Sequence, residues 1–124
     1  MIRFFDGLSE KPRNARLAEI SADVNSKATL FRELSESLRF PEYFGWNWDS
    51  LFDLLVDLSW IDNDLIVIDH AGFSLLPLGD FCTYVHILND ASTLCDAKPG
   101  KILEIILPNK LEPLVKAVTS DRNN

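Results

Sequence analysis

The chain has 124 residues, of which 47% are hydrophobic and 25% charged, and its formal net charge is −7. This length suits one domain with its own core, and the composition excludes a disordered chain and a membrane-spanning protein. The N-terminus has no apolar run of signal-peptide length, and the runs "LIVI" and "IIL" are far shorter than a bilayer span. We therefore expect a single domain over residues 1–124, located in the cytoplasm and without membrane contact.

The acidic charge is concentrated in the middle of the chain. Residues 40–97 contain ten acidic residues and no Lys or Arg, whereas the segments on either side are each slightly basic. Such a block repels phosphate backbones, which disfavours direct nucleic-acid binding, and it attracts basic proteins at long range. The alternative is a solvated acidic surface without a partner.

Hydrophobic spacing and turn residues predict eight elements in the order β-β-α-α-β-α-β-α. They are strands at 2–5 and 16–22, a helix capped by Ser26 and ended by Pro41, a helix over 48–60, a buried strand within 64–71, a helix from Asp80, a strand at 101–108 and a helix at 110–120. Segment 6–15 is a predicted polar connection, 72–79 a loop or short helix, and 121–124 a polar tail. This order indicates a small α/β domain with a largely parallel sheet.

The stretch "FPEYFGWNWDSLFDLLVDL" (40–58) contains a turn rich in aromatic residues followed by a helix. Asn47 is suited to cap the helix, and Trp46 and Leu51 have the spacing of a hydrophobic staple. The apolar stripe that would bury the helix consists of Leu51, Leu54, Leu55 and Leu58. Part of the aromatic and apolar content of this stretch is therefore structural.

The same helix has an acidic face that stability does not explain. Asp49, Asp53 and Asp57 repeat every four residues, and each such like-charge pair costs about 0.2–0.5 kcal/mol. Rigid aromatic side chains around a few carboxylates are typical of a protein-binding hot spot. The aromatic residues that flank the carboxylates are Tyr43, Phe44, Trp48 and Phe52. The predicted partner carries Arg and Lys.

The residues "FPEYFGWNWDSLFDLL" resemble the signature of the barstar family of intracellular ribonuclease inhibitors, L-P-x-Y-[YF]-G-x-N-x-D-A-L-x-D. The matching residues are Pro41, Tyr43, Phe44, Gly45, Asn47, Asp49, Leu51 and Asp53. The order of elements agrees over about residues 16–108, so 1–15 and 109–124 are additions. The resemblance implies a three-layer α/β domain with a parallel three-stranded sheet, to which an N-terminal strand and a C-terminal helix are added here.

The resemblance also implies that the turn and second helix plug the active site of a basic nuclease, a ribonuclease toxin bound one-to-one. Tyr43 would be the aromatic anchor, and Asp49 and Asp53 would replace the phosphates of the substrate. The family's acidic contact on the last interface helix falls near Cys95, where Asp96 is the nearest carboxylate. The predicted partner-binding residues are Tyr43, Phe44, Trp48, Asp49, Phe52, Asp53, Asp57 and Asp96. No cofactor and no metal are expected.

Three alternatives remain open at this point. One is a non-inhibitory module that binds another basic protein. The second is an enzyme, because His70 follows Asp69 and because Cys82 and His86 are four residues apart on a predicted helix. The third is a metal site, although the segment lacks the Gly and distal Glu of a calcium loop; its ligands would be Asp62, Asp64, Asp69 and His70.

Cys82 and Cys95 fall in the same predicted helix, about 20 Å apart. This distance is beyond the reach of a disulfide. We therefore expect buried free thiols, which suits a reducing compartment.

Overall fold

A computed structural model describes residues 1–6, 12–70, 72–73 and 76–122. The strands are β1 (Ile2–Phe4), β2 (Ala15–Glu19), β3 (Leu65–Asp69) and β4 (Ile102–Leu107), and the helices are α1 (Lys27–Leu38), α2 (Trp48–Asp57), α3 (Leu78–Asp96) and α4 (Glu112–Arg122). A short 3-10 helix at Asn109–Leu111 precedes α4. The predicted order of elements is confirmed. The described residues do not include residue 71, the tail residues 123–124 and parts of the predicted connections 6–15 and 72–79.

The four strands form one parallel sheet in the order β1-β4-β3-β2. The N-terminal strand, which lies outside the resemblance, pairs with β4 and places Ile2 beside Ile105. The mixed α/β fold with a parallel sheet and packed helices is therefore confirmed, and the additional strand enlarges the sheet from three strands to four.

The hydrophobic core lies between one face of the sheet and the helices. Alternate residues of the two central strands, such as Ile66 and Ile105, point into this core. Their neighbours Val67 and Ile106 lie on the opposite face and are also buried. Burial on both faces explains why residues 66–68 and 105–107 are continuous aliphatic runs instead of alternating polar and apolar residues.

Side-chain caps and left-handed residues mark the ends of the first two helices. Ser26 caps α1 in a capping box with Thr29, and Arg39 ends this helix in the left-handed region at φ 52°. Leu58 likewise ends α2 at φ 56°, so α2 is three residues shorter than predicted. None of the described helices combines the length and the hydropathy needed to cross a membrane.

Helix α3 is the element that positions α2. The ring of Trp48 at the start of α2 lies 6.1 Å from Tyr84, and the thiol of Cys95 donates to the carbonyl of Leu55 near the end of α2, at 3.5 Å. The two helices therefore run side by side in the same direction. Helix α3 also packs on β4, which fixes α2 relative to the sheet.

Candidate partner-binding site

A tight turn places Tyr43 on the surface. The backbone N–H of Phe44 donates to the carbonyl of Pro41 at 3.0 Å, which closes the turn, and Tyr43 is 69% exposed. The ring of Phe44 points inward, 5.6 Å from Phe31 and 4.9 Å from Phe40. An exposed aromatic residue on a turn held in this way is already ordered before a partner arrives, which lowers the entropic cost of binding.

The structure corrects the prediction that Phe44 contacts the partner. This side chain is only 5% exposed and belongs to the core. Trp46, which we predicted to pack on Leu51, lies with its ring 5.1 Å from Phe44 and is 55% exposed. Phe44 therefore anchors the turn, Trp46 is an additional exposed aromatic residue, and the staple stays a prediction.

A closed set of three hydrogen bonds connects the turn to α2. The side-chain oxygen of Asn47 accepts from the N–H of Ser50 at 2.8 Å, as predicted for the cap. The amide group of Asn47 donates to the carbonyl of Gly45 at 3.1 Å, and the N–H of Gly45 donates to the hydroxyl of Ser50 at 2.8 Å. A Cβ on Gly45 would lie 3.0 Å from Nδ2 of Asn47, so glycine permits the close approach.

We expect Asn47→Ala to lower the free energy of unfolding by about 1 kcal/mol, because the first turn of α2 loses its cap. Urea unfolding monitored by circular dichroism measures this change. The matched control is Asn25→Ala, since Asn25 is exposed and, among the described residues, only its backbone N–H is hydrogen-bonded, to Thr29 at 3.2 Å. An equal effect of both substitutions would contradict the role given to the Asn47 side chain.

The predicted acidic face of α2 is exposed in the structure. Asp49, Asp53 and Asp57 all lie at the surface. Within the described part of the chain, none of them forms an ion pair with Lys or Arg. Asp57 accepts a hydrogen bond from the hydroxyl of Ser59 at 2.9 Å. The charge of Asp49 and Asp53 is therefore available to a cationic partner.

Trp48 and Phe52 are half-buried and separate this acidic face from α3. Trp48 lies edge-on to Phe31 at 4.9 Å, so much of its ring supports the core. Its remaining surface and that of Phe52 line a groove of about 340 Å³ between α2 and α3, together with Asp49 of α2 and Asp90 of α3. Asp90 was not among the residues predicted from the sequence.

The structure does not bring Asp96 to this groove. Its carboxylate lies 3.6 Å from the amino group of Met1, at the edge of the sheet formed by β1. Its neighbour Cys95 is buried against the C-terminal end of α2. The position of Asp90 could have been inferred from the sequence, because helical spacing places it on the same face of α3 as Thr83, Ile87 and Leu94.

His70, which the enzyme alternative includes, forms hydrogen bonds within the core. Nδ1 of His70 donates to the carbonyl of Ile106 at 2.8 Å, and since a carbonyl only accepts, Nε2 accepts from the hydroxyl of Tyr84 at 2.7 Å. Both ring nitrogens are thus engaged away from Asp69. Burial lowers the pKa of His70 to about 4 and raises the pKa of Tyr84 above its ordinary value. This pair is a hydrogen-bonded part of the core.

Among the described residues, no hydrogen bond joins Cys82 to His86. Nδ1 of His86 is buried and has no hydrogen-bond partner in the described part of the chain. Cys82 is a free, half-buried thiol, and Cys95 is a free, buried one. The described residues contain no group of three or more His, Cys, Asp or Glu arranged to hold a metal ion.

The fold and this surface define a small α/β protein whose parallel sheet supports an acidic, aromatic-flanked helix. The sequence model of the family described as Barstar (barnase inhibitor) matches residues 15–105. This match covers well over half of the 124 residues, and the chain belongs to that family. The matched region begins with β2 and ends within β4, so β1 and α4 lie outside it. No curated protein matches the sequence.

Proposed function

We propose that the chain is a protein inhibitor of the immunity or antitoxin type, which binds a basic ribonuclease one-to-one and occludes its active site. The observation that carries this proposal is the exposed pair Asp49 and Asp53, whose carboxylates have no cationic partner within the described residues, beside Tyr43 on a rigid turn. The family description, which names barnase inhibition, supports the class of partner.

The chemistry of a ribonuclease site explains why this surface suits it. An enzyme that cleaves RNA holds anionic phosphates with cationic and hydrogen-bonding side chains. Two carboxylates that are one helical turn apart present comparable negative charge to those side chains. The aromatic ring of Tyr43 adds apolar area next to the charges, which excludes water from the ion pairs and strengthens them.

The remaining features agree with an inhibitor rather than an enzyme. Both nitrogens of the buried His70 are engaged in the core, so this residue is not placed for proton transfer to a substrate. The free thiols of Cys82 and Cys95 suit a reducing compartment, in accordance with action in the cytoplasm. We propose no cofactor and no direct contact with nucleic acid or membrane.

An RNA-cleavage assay tests the function. The purified chain is titrated into barnase, and into any basic nuclease that it captures from its own source, with a fluorogenic RNA as substrate. We expect cleavage to fall linearly to zero at a one-to-one ratio, and Asp49→Asn combined with Asp53→Asn to abolish the inhibition. Undiminished cleavage in a saturated complex would instead indicate a non-inhibitory binding module.

A further inference from the structure

A tryptophan at position 46, in the turn before α2, is not required by the fold. The backbone of Trp46 lies in the left-handed region at φ 55°. Bulky side chains rarely adopt this conformation, because Cβ approaches the following carbonyl oxygen. Glycine and asparagine adopt it at less cost. Either of them would suit this position better than tryptophan does.

The hydrogen bonds of the turn hold the backbone on both sides of position 46. Gly45 and Asn47 are bonded to each other and to Ser50 in the first turn of α2. The side chain of Trp46 takes no part in these three bonds. The turn therefore fixes the backbone at position 46, but it does not determine which side chain projects from it.

The indole ring of Trp46 is exposed although it rests on the core. The ring lies 5.1 Å from the buried ring of Phe44 and is tilted by 46° relative to it. Even so, Trp46 is 55% exposed, whereas Trp48 and Trp60 are half-buried. A large aromatic side chain that is supported in this way loses little freedom when a partner covers it, which favours binding.

Trp46 adjoins the proposed binding surface. It lies three residues after Tyr43, which is 69% exposed in the same turn, and three residues before Asp49 of α2. The indole group carries no charge, so it does not pair with the cations that hold phosphate groups. Its contribution to binding comes from apolar area removed from water, and tryptophan is enriched among the residues that dominate protein interfaces.

From these observations, and resting on the proposed function, we infer that Trp46 is a specificity-determining contact, which packs on an apolar surface at the rim of the basic site of the nuclease. Asp49 and Asp53 face cations of the kind that bind RNA phosphates, so they do not distinguish one basic nuclease from another. Phosphate binding does not require an apolar rim. Trp46 therefore selects the nucleases that have one, and this contact offsets the cost of its left-handed backbone.

The indole N–H signals of the ¹⁵N-labelled chain report on this contact. The chain has three tryptophans, and Trp46→Phe assigns the signal of Trp46. A soluble gadolinium chelate should broaden this signal in the free chain. Unlabelled barnase, or a nuclease captured from the chain's own source, should protect it. Trp60 is the internal reference, because its Nε1 donates to the carbonyl of Leu38 at 2.9 Å. An unprotected Trp46 in the saturated complex would overturn the inference.

The variant Trp46→Asn removes the ring and supplies a residue that tolerates the left-handed backbone. We expect it to weaken nuclease binding about tenfold through faster dissociation, equally at low and high salt, since an apolar contact is not screened. Asp53→Asn should cause a smaller loss at high salt than at low salt. Trp46→Phe should recover part of the affinity. The matched control is Phe5→Asn, which should leave the affinity unchanged, because Phe5 is 43% exposed and lies beside Val67 on the opposite face of the sheet.

Urea unfolding distinguishes a contact residue from a structural one. The midpoint of Trp46→Asn should stay close to that of the wild type, because relief of the left-handed backbone offsets the lost contact with Phe44. A clearly lower midpoint together with unchanged nuclease affinity would show that Trp46 serves the fold, and the inference would be wrong.

The RNA-cleavage assay separates this inference from the proposed function. If the chain inhibits its nuclease and Trp46→Asn has the same inhibition constant, the assignment of Trp46 is wrong and the inhibitor function stands. If the complex protects Trp46 but the bound nuclease still cleaves RNA, the assignment of Trp46 stands and the inhibitor function is wrong. If no nuclease binds the chain, both are wrong.

Discussion

Asp53→Ala is expected to weaken nuclease binding about 100-fold or more, the largest effect of any single substitution in the surface. The side chain is exposed and without a cationic partner in the described chain, so its charge costs little to present in the free protein. In the complex, its removal leaves a desolvated cation of the nuclease unpaired, which costs about 2–5 kcal/mol. The dissociation rate, measured by surface plasmon resonance, should carry most of the change.

Tyr43→Ala and Asp49→Ala are expected to follow Asp53→Ala in magnitude. The matched control is Asp23→Ala, because Asp23 is an exposed carboxylate in the connection between β2 and α1, away from α2. Since none of these side chains is buried, the unfolding free energies should stay close to that of the wild type. Unchanged affinity in the double variant Tyr43→Ala and Asp53→Ala would show that another surface binds the nuclease.

Residues whose surroundings are set by nearby sequence could be predicted. The cap at Asn47 depends on Ser50, three residues away, and the buried stripe of α2 depends on helical spacing alone. Both follow from the geometry of a single helix. The order of strands and helices follows in the same way, from alternation of short aliphatic runs with amphipathic segments.

Residues whose orientation depends on distant contacts could not be assigned from the sequence. Phe44 and Tyr43 are adjacent aromatic residues in one turn, and only the contacts of Phe44 with Phe31 and Phe40 determine which one faces inward. Helix α3 contacts both the sheet and α2, so its hydrophobic pattern does not identify a single exposed face. For this reason the sequence alone did not indicate that Asp90 lines the groove between α2 and α3.

The connection between the core and the proposed binding surface also depends on long-range contacts. Tyr84 donates its hydrogen bond to His70 of the segment after β3, and its ring lies 6.1 Å from Trp48 at the start of α2. These three residues are separated by at least 14 positions in the chain. The sequence alone left an enzyme open because His70 follows Asp69, whereas in the fold His70 attaches α3 to the sheet beneath the proposed binding surface.

Acidification is expected to destabilise the protein through His70. Burial lowers its folded-state pKa to about 4 from the ordinary value of 6.5, so the unfolded chain takes up a proton at higher pH than the folded one. The contribution of His70 is therefore fully present above pH 6.5 and is lost progressively as the pH falls toward 4. Between pH 7 and pH 5 this loss is about 2 kcal/mol, before most carboxylates titrate.

Urea unfolding of the wild type and two variants between pH 7 and pH 5 measures this dependence. The chain has two histidines, so His86→Gln is the matched control and should retain the decline. His70→Gln should be less stable at pH 7, because the bonds to Ile106 and Tyr84 are disturbed, but its stability should change little down to pH 5. If His70→Gln declined as steeply as the wild type, another group would be responsible for the acid sensitivity. Tyr84 lies beneath Trp48. Protonation of His70, which breaks its hydrogen bond with Tyr84, should therefore also loosen the start of α2.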